Sequence, residues 1–471
     1  MLKRFNVKNF LSFSEREDGH SEEFSMIPGN ARYKKDHLYR NGSERLLKFA
    51  AIYGANAAGK SNVVKALEFM RTVIGSKVPR RISEKYCRTS IENKSKPSYF
   101  EVELLLNNRN YSYGFEILLS ENRIISEWLV EFKSDNTEKE LFVRDVEKGI
   151  CQILGWNGNK KLTERLDIFA QEINTDGTIL FLSEMNRKKH KFYEEFPEAQ
   201  CIRDVYRWFG QSLDINFPDA PISDYSYLGD SGNVDEICRL IAAFGTGITD
   251  YTVVDISKDK IFENMSSTDQ EQFDDMLEME QISVNSRSNP KHNVKIVIRS
   301  KTEFFRVVIE KDKAPIFQTI RFYHGKEDFS FGLYEESDGT IRLLDLLEVL
   351  LSKKEKTYII DELDRRLHPC LTYKFVEMFL KSMKNRNIQL IVTTHESRLL
   401  DFDLLRRDEI WFVDKRKNGE SDIYSLEEYN TRLDYKIDKA YLEGRYGGVP
   451  VFSTVFPIEV ADECEKKEII Q

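Results

Sequence analysis

The apolar positions of the first hundred residues change their spacing at a glycine-containing stretch. Residues 47–53 form a short apolar run that stops at Gly54, which is typical of a buried strand. From Val63 to Val73 the apolar residues instead recur at helical spacing, and neither Gly nor Pro interrupts them before Gly75. The pattern predicts a strand, a tight loop and a helix, in that order.

Later segments predict a β-rich part, a helical part and a second α/β part. Residues 99–151 alternate apolar and polar positions around an Asn-rich turn, which predicts an antiparallel meander. Residues from about 160 to 290 predict mainly helices, and we expect the acidic stretch 269–280 to be a solvated helix or a lid. Beyond them we expect strands at 294–299, 304–309, 357–360, 389–393 and 409–413, with helices at 341–351 and 371–383. The whole pattern predicts an α/β nucleotide-binding core that carries antiparallel additions.

The composition narrows the class of protein. A chain of 471 residues is expected to form two or three structural units. The sequence has no run of roughly eighteen apolar residues and no apolar N-terminal segment, so we expect a cytoplasmic protein with no membrane contact. Six cysteines without a CxxC pair favour neither a disulfide framework nor a zinc site. The net charge of −9 argues against indiscriminate coating of nucleic acid, but it leaves a local binding groove open.

The stretch from Gly54 to Ser61 matches the pattern GxxxxGK[ST] between the predicted strand and helix. Glycines in such a loop let consecutive backbone N–H groups surround phosphate oxygens, and the next helix directs its positive end at them. Lys60 would then reach the β- and γ-phosphates, and the Ser61 hydroxyl would bind Mg²⁺. The alternative is a plain glycine turn. The flanking elements favour an ATP site.

Three further patterns carry candidate chemistry. The strand at 357–360 ends in Asp361 and Glu362, where one carboxylate can bind Mg²⁺ and the next can activate water. The strand at 389–393 leads to His395, whose imidazole can contact a γ-phosphate and orient that water. Ser337 and Gly339 precede a predicted helix, where a hydroxyl and free amides can hold phosphate. Taken alone, this last pattern is that of an ordinary N-cap.

The order of these four patterns resembles the ATP-binding-cassette ATPase heads of the SMC, RecF and OLD type. The resemblance implies Walker A at 54–61, Walker B at Asp361 and Glu362, and a switch histidine at His395. It implies an ABC-type head of mixed sheets and an antiparallel β subdomain, in which ATP lies between two subunits. The implied nucleotide contacts are Gly54, Asn56, Ala57, Gly59, Lys60, Ser61 and Asn62, with Ser337 and Gly339 supplied by the second subunit. The implied Mg²⁺ ligands are Ser61 and Asp361, and the implied catalytic residues are Lys60, Glu362 and His395.

The signature motif departs from the pattern of those heads, since Asp338 and Thr340 replace the usual Gly and Gln. The stretch Leu367-His368-Pro369 resembles the form found in OLD-like proteins. The phrases at 52–61, 405–413 and 441–450 look like bacterial phage-defence ATPases of the RloA/AbiLi type, to which the ATPase of the PARIS system is related. That resemblance implies a sensor or scaffold ATPase in abortive infection. Its partner would be a separately encoded toxin or nuclease with a TOPRIM or RloB-like domain.

The resemblance divides the chain into four segments and leaves one alternative function. The segments are an N-terminal lobe at 1–155, a helical insertion or lid at 156–293, a C-terminal lobe at 294–430 and a tail at 431–471. Fewer than about a hundred residues follow His395, so we expect no nuclease domain in this chain. The alternative is a DNA-repair ATPase of the RecF or SMC class. Basic stretches at 77–88 and 187–191 are candidate contacts for nucleic acid, for an acidic partner or simply for solvent.

Overall fold

Among the residues that it describes, a computed structural model of the chain has three main β-sheets and eleven α-helices, with strands β1–β20 and helices α1–α11 numbered along the chain. The described residues are 1–448 without 31–32, 43, 134–136, 157, 221–226, 229–233, 264, 287–293, 300–302, 326–328, 353, 385 and 430–436. The last part of the expected tail, including Val449, Pro450 and Cys464, lies outside them. The predicted α/β class is confirmed by this arrangement.

The central sheet is mainly parallel and carries the predicted nucleotide-binding elements. Its order is β11, β17, β18, β5, β19, β20, and only the β19–β20 pair is antiparallel. Strands β5, β17 and β18 are buried at every position, as expected for apolar runs covered on both faces. The strands are β5 (Phe49–Tyr53), β11 (Leu213–Asn216), β17 (Thr357–Ile360), β18 (Gln389–Thr393), β19 (Ile410–Lys415) and β20 (Ser421–Ser425).

The second sheet is the antiparallel meander that the sequence predicts, extended by the first two strands of the chain. Its order is β10, β9, β8, β7, β6, β1, β2. Asn107 and Asn108 form the β6–β7 turn with φ of 48° and 63°, which is the conformation that tight two-residue hairpins require and Asn tolerates. The strands are β1 (Leu2–Lys8), β2 (Glu22–Ser25), β6 (Ser98–Leu106), β7 (Arg109–Leu118), β8 (Arg123–Phe132), β9 (Glu138–Asp145) and β10 (Ile150–Ile153); β3 (Leu38–Asn41) and β4 (Glu44–Leu47) form a separate hairpin.

The segment 156–293 contains more than the helices expected there. Strand β11 within it is an edge of the central sheet, and another strand within it, β12, forms an edge of the third sheet. The third sheet has the order β12, β15, β14, β13, with β16 paired to β15. Its strands are β12 (Ile248–Ile256), β13 (Val294–Arg299), β14 (Phe304–Ile309), β15 (Ile316–His324) and β16 (Ser330–Phe331).

The acidic helix expected to be solvated has one face that is buried. Phe273, Leu277 and Val284 of this helix join a small core with the side chains of β14. The acidic positions occupy its other faces, so the helix is amphipathic and covers the third sheet. The helices are α1 (Lys60–Gly75), α2 (Lys160–Ile173), α3 (Phe181–Met185), α4 (His190–Glu195), α5 (Gln200–Arg207), α6 (Val234–Ala242), α7 (Lys258–Phe262), α8 (Ser267–Asn285), α9 (Asp338–Leu351), α10 (Pro369–Ser382) and α11 (Ile437–Leu442). None of those described could cross a membrane.

Candidate nucleotide-binding site

The glycine loop connects β5 to α1, as the sequence predicts, and two of its glycines are required by their surroundings. A Cβ on Gly54 would lie 2.4 Å from the backbone oxygen of Val413 in the neighbouring strand β19. Gly59 has a φ of 121°, and a Cβ there would lie 2.5 Å from the hydroxyl of Ser421. Other side chains would collide with the sheet or strain the loop. Asn56 and Ala57, at the tip, are exposed to solvent.

Lys60 is folded back onto the loop that precedes it. Its Nζ donates to the carbonyl oxygen of Gly54 at 2.9 Å and to that of Ala55 at 3.1 Å, and the residue is 6% exposed. Burial lowers the pKa of Lys60 to about 8, while the carboxylate of Asp361 is the largest opposing influence. The ammonium group of Lys60 therefore has backbone carbonyl oxygens as its partners, and a bound phosphate could take their place.

Asp361 brings together the ends of two strands and the start of α1. Its Oδ1 accepts from the hydroxyl of Ser61 at 3.1 Å and from that of Thr393 at 2.5 Å. The Thr393 Oγ1 also accepts from the backbone N–H of Glu362 at 2.8 Å. Because β17 and β18 are parallel neighbours, both their carboxyl ends lie at the edge where β5 enters the glycine loop. The sequence predicted Ser61 and Asp361 as partners but did not single out Thr393.

Glu362 and His395 flank this junction. Glu362 has a φ of 51°, and its Oε2 lies 3.5 Å from Nη1 of Arg365. The backbone N–H of His395 donates to Oδ1 of Asp364 at 3.2 Å, and that oxygen also accepts from the Thr394 hydroxyl at 2.6 Å. Partial desolvation, followed by the Lys60 charge, lowers the pKa of His395. The imidazole is therefore mainly neutral at pH 7, as a hydrogen-bonding phosphate sensor needs to be.

The predicted signature residues lie at the exposed start of α9. Ser337 is the N-cap, and its hydroxyl accepts from the backbone N–H of Thr340 at 3.1 Å. A Cβ on Gly339 would lie 3.1 Å from the backbone oxygen of Arg366, whose Nε lies 3.5 Å from Oδ2 of Asp338. The described contacts of this turn are thus with the segment that follows Glu362. Ser337 therefore caps α9 and is at the same time exposed to solvent.

Comparison with known proteins places the chain in a family. The sequence family described as "AAA domain, putative AbiEii toxin, Type IV TA system" matches residues 49–155 and 251–401. The chain belongs to this AAA family. The matched segments contain the glycine loop, Asp361, Glu362 and His395. No curated protein gives a significant match.

Solved structures of SMC heads resemble this AAA-family chain loosely. An SMC head bound to the C-winged helix domain of ScpA has 13% identity and a TM-score of 0.40, with 90% of this chain and 97% of that chain covered. The SMC head domain from Thermotoga maritima has 13% identity and a TM-score of 0.34, with coverage of 90% and 98%. The Smc head with an extended coiled coil from Pyrococcus furiosus, bound to the C-terminal domain of ScpA, has 17% identity and a TM-score of 0.30, with coverage of 94% and 99%.

Two residues that the sequence analysis did not single out, Asn216 and Arg342, hold the Asp361–Glu362 segment of this AAA-family chain in place. The backbone N–H of Asp361 donates to the carbonyl oxygen of Asn216 at 2.9 Å, so the short strand β11 supports the predicted metal ligand. The side chain of Asn216 accepts from Nη1 of the buried Arg342 at 3.2 Å, and Nη2 of Arg342 lies 3.4 Å from the carbonyl oxygen of Glu362. An Arg in a strongly apolar helix was the only available sequence signal.

Two other positions that the resemblance singled out have protein contacts of their own. Nδ2 of Asn62 donates to the hydroxyl of Ser12 at 2.8 Å, so this side chain ties α1 to the turn after β1. His368 is the N-cap of α10, and its Nδ1 accepts from the backbone N–H of Cys370 at 3.2 Å. Pro369 then occupies the first helical position, where its missing N–H costs no hydrogen bond. The Leu-His-Pro stretch thus has a local role in starting the helix.

The donor set of this site fits a nucleotide with Mg²⁺. The Ser61 hydroxyl and the Asp361 carboxylate are hard oxygen ligands and already lie 3.1 Å apart. Lys60 and the exposed tip of the loop offer an ammonium and backbone amides to phosphate. Lys60, Ser61, Asp361, Glu362 and His395 would therefore surround one phosphate chain.

Proposed function

We propose that this AAA-family chain binds and hydrolyses ATP with Mg²⁺. The observation that carries the proposal is the contact of the Ser61 hydroxyl with Asp361 Oδ1, in which the end of β17 meets the first turn of α1. This pairing places a hydroxyl and a carboxylate at the mouth of a glycine loop, where phosphoryl-transfer enzymes hold their metal. Bound Mg²⁺ supplies charge neutralisation for the transferring phosphoryl group.

In this proposal each side chain has a distinct role. Lys60 leaves the carbonyl oxygens of the loop and binds phosphate. The half-buried Glu362 takes the proton of the attacking water, for which a carboxylate beside the metal ligand is well placed. Neutral His395 hydrogen-bonds to the terminal phosphate and orients the water. Thr393 holds Asp361 and the backbone of Glu362 at a fixed spacing.

Phosphate release by the purified full chain tests this assignment. We expect Lys60→Ala to lose ATP binding, and Glu362→Gln to bind ATP while its turnover falls by about a hundredfold or more, the range of a lost general base. Glu377→Gln is the matched control, because Glu377 is an acid on the surface of α10 that pairs with Lys374 and Lys381. Unchanged turnover in Glu362→Gln would show that this residue is not the base.

We infer that two copies of the chain share the site. Ser337 is exposed at a helix N-terminus, where it can face a phosphate held by a second copy. The described contacts of Gly339 and Asp338 are with Arg366, next to the Asp361–Glu362 turn. Closure on a partner would therefore act on the residues of the hydrolytic site in the same chain.

We further propose that the ATPase serves as the sensor or scaffold of an anti-phage complex and controls a separately encoded toxin or nuclease. The family description, which names a putative toxin of a type IV toxin–antitoxin system, supports a role in such systems. The RloA/AbiLi-like phrases in the sequence support the same context. Co-expression with the protein of the adjacent reading frame is expected to give a stable complex, with Lys60→Ala altering toxicity. Failure to co-purify with any neighbour would contradict this role.

One observation favours the alternative of a DNA-repair ATPase. Lys77, Arg80, Arg81, Lys85 and Arg88 are all exposed in the segment that follows α1. Phosphate contacts by such a segment would make ATPase activity depend on DNA and fall steeply with salt. The test is ATP turnover with and without duplex DNA at about 50 and 200 mM salt. A rate indifferent to DNA under both conditions would eliminate this alternative.

A further inference from the structure

The last described segment of the chain lies against the start of the glycine loop. Helix α11 and the turn that follows it bring Tyr441 and Tyr446 onto Phe412 of β19, with ring centroids 5.8 and 5.7 Å away. Tyr441 also meets Tyr53, the last residue of β5, edge-on at 5.6 Å. An aromatic cluster thus joins α11 to the two strands beside the loop. Nothing in the ATPase roles assigned above uses this cluster.

The hydroxyl of Tyr441 lies between helix α11 and the glycine turn, near the start of the loop. It donates to the carbonyl oxygen of Gly448 at 3.2 Å. Burial raises the pKa of Tyr441 to about 12, against a smaller opposite effect of the backbone of Gly54, the first residue of the loop. The hydroxyl therefore keeps its proton at neutral pH and can donate to Gly448.

Gly448 approaches the same loop residue through its backbone. Its φ is 67°, and a Cβ on Gly448 would lie 3.1 Å from Cα of Gly54. Its neighbour Gly447 has a φ of 68°, and a Cβ there would lie 2.5 Å from the Tyr424 hydroxyl, so a side chain does not fit at this position. Tyr424 in turn donates to the carbonyl oxygen of Tyr446 at 2.6 Å. The turn is therefore held from both sides while Gly448 packs on Gly54.

We propose that Tyr441 and Gly448 are positioning residues of the nucleotide site, which hold Gly54 in place so that the glycine loop keeps its phosphate-binding shape. The proposal rests on the ATPase function proposed above. It assigns a role in nucleotide affinity to α11 and the glycine turn, which lie far along the chain from the loop and outside the segments matched by the family.

The need for such a support follows from the position of Lys60. In the described state, the Lys60 ammonium donates to the carbonyl oxygen of Gly54 and steadies the loop from within. When Lys60 turns to phosphate, Gly54 loses that partner. The contact with Gly448 persists, because Gly448 reaches Gly54 from outside the loop and the Tyr441 hydroxyl holds Gly448 there. Loss of this support would let the loop relax and so weaken binding of the phosphate chain.

The first test removes a single hydroxyl. Tyr441→Phe in the full chain is expected to raise the Kd for mant-ATP with Mg²⁺, and the KM for ATP, by about fivefold, the loss expected for one hydrogen bond. The value of kcat should change by less than twofold. Tyr429→Phe is the matched control, because its ring packs on Tyr424 of the same cluster at 5.7 Å and its described contacts do not include the loop. Its Kd should equal that of the wild type.

The second test uses two glycines with the same backbone strain. Gly448→Ala and Gly444→Ala both place Ala at positive φ, 67° and 75°, but a Cβ on Gly444 meets nothing within 4 Å. We expect Gly448→Ala to weaken mant-ATP binding at least fivefold and Gly444→Ala to leave it within twofold. The melting temperature of each variant is measured without nucleotide, and binding is compared at a temperature at which both variants are folded, which separates loop positioning from general destabilisation.

The outcomes distinguish this inference from the ATPase assignment. If wild-type protein fails to bind mant-ATP, the proposed function is wrong and the inference falls with it. If the wild type binds and Lys60→Ala does not, while Tyr441→Phe and Gly448→Ala bind like their controls, the inference alone is wrong. An effect equal in Gly448→Ala and Gly444→Ala, or in Tyr441→Phe and Tyr429→Phe, would likewise overturn it. Weaker binding confined to Tyr441→Phe and Gly448→Ala supports it.

Discussion

At the scale of single residues, Thr393 determines how Asp361 and Glu362 are spaced. One hydroxyl donates to the Asp361 carboxylate and accepts from the Glu362 backbone, and the residue is 1% exposed. Thr393→Val keeps the volume but removes both bonds, so we expect kcat for ATP to fall about tenfold to a hundredfold, as for a lost bond to a charged group of ~1.5–3 kcal/mol. ATP affinity should change less. The measurement is steady-state phosphate release.

The control for that variant is Thr372→Val in α10. The Thr372 hydroxyl is fully buried and has no hydrogen-bond partner among the described residues. Its removal should leave turnover unchanged and stability equal or higher. Equal turnover in both variants would show that Thr393 does not hold the hydrolytic residues.

Lys60 gives the site a pH dependence whose sign can be worked out. In the free protein burial lowers the Lys60 pKa to about 8, whereas an unfolded chain has the ordinary value near 10.5. Between those values the unfolded chain binds more protons, so this group makes the free protein more stable as pH rises through that window. Bound phosphate favours the ammonium form and raises the pKa again. Binding of ATP above about pH 8 should therefore take up a proton.

Calorimetry at pH 8.5 in two buffers of different ionisation enthalpy measures that proton uptake. We expect up to one proton per ATP, and an affinity that falls by at most about tenfold per pH unit above pH 8. Lys60→Arg is the comparison, because a guanidinium stays charged in this range and removes the titration. Binding without proton exchange at pH 8.5 would contradict the assignment of Lys60 to the phosphate.

At the scale of elements, β11 is a short edge strand with a large effect on the site. Its last residue, Asn216, holds the backbone of Asp361 and accepts from the buried Arg342 of α9. Asn216→Ala leaves the guanidinium short of a partner, which destabilises by about 1–3 kcal/mol. We expect a lower melting temperature and reduced ATP turnover. Asn216→Asp restores an acceptor for Arg342 and should recover most of the stability, whereas equal melting of the two variants would refute this role.

The same strand shows what the sequence could and could not predict. The pattern around Gly54 contained its strand, its glycines and its helix within thirty residues, so local rules sufficed. The four residues of β11 are too few to show a clear period, and their pairing with β17 joins positions more than 140 residues apart. Likewise α8 carries enough acidic residues to suggest a solvated helix, although Phe273 and Leu277 bury one face. Long-range strand pairing and partial burial depend on tertiary structure. Local residue patterns therefore predict them poorly.

At the scale of the whole molecule, the proposed sharing of the site requires Ser337 of one copy to reach the glycine loop of another. The glycine loop, Asp361 and Glu362 are joined by direct contacts, whereas Ser337 is exposed at the start of α9 and contacts Thr340. In the proposed arrangement, a second copy supplies its Ser337 to that loop. Ser337→Asp is a sharp probe of this arrangement, because Asp is also a good N-cap and keeps α9 capped while it adds a negative charge. That charge would repel a phosphate held by the partner.

We expect Ser337→Asp to bind ATP but to lose ATP-dependent dimerisation and ATP hydrolysis. Dimerisation is measured by light scattering, with Ser337→Asp introduced into the Glu362→Gln variant. Hydrolysis is measured by phosphate release from the Ser337→Asp variant. Ser266→Asp, the same change at the N-cap of α8, should have neither effect. The decisive experiment mixes the Ser337→Asp variant with the Lys60→Ala variant. Each variant is inactive alone, but a mixed dimer contains one site with an intact Lys60 and an intact Ser337, so activity should return in the mixture. If Ser337→Asp alone has wild-type activity, a single chain holds the complete site. If the mixture recovers no activity, Ser337 of one subunit does not meet Lys60 of the other.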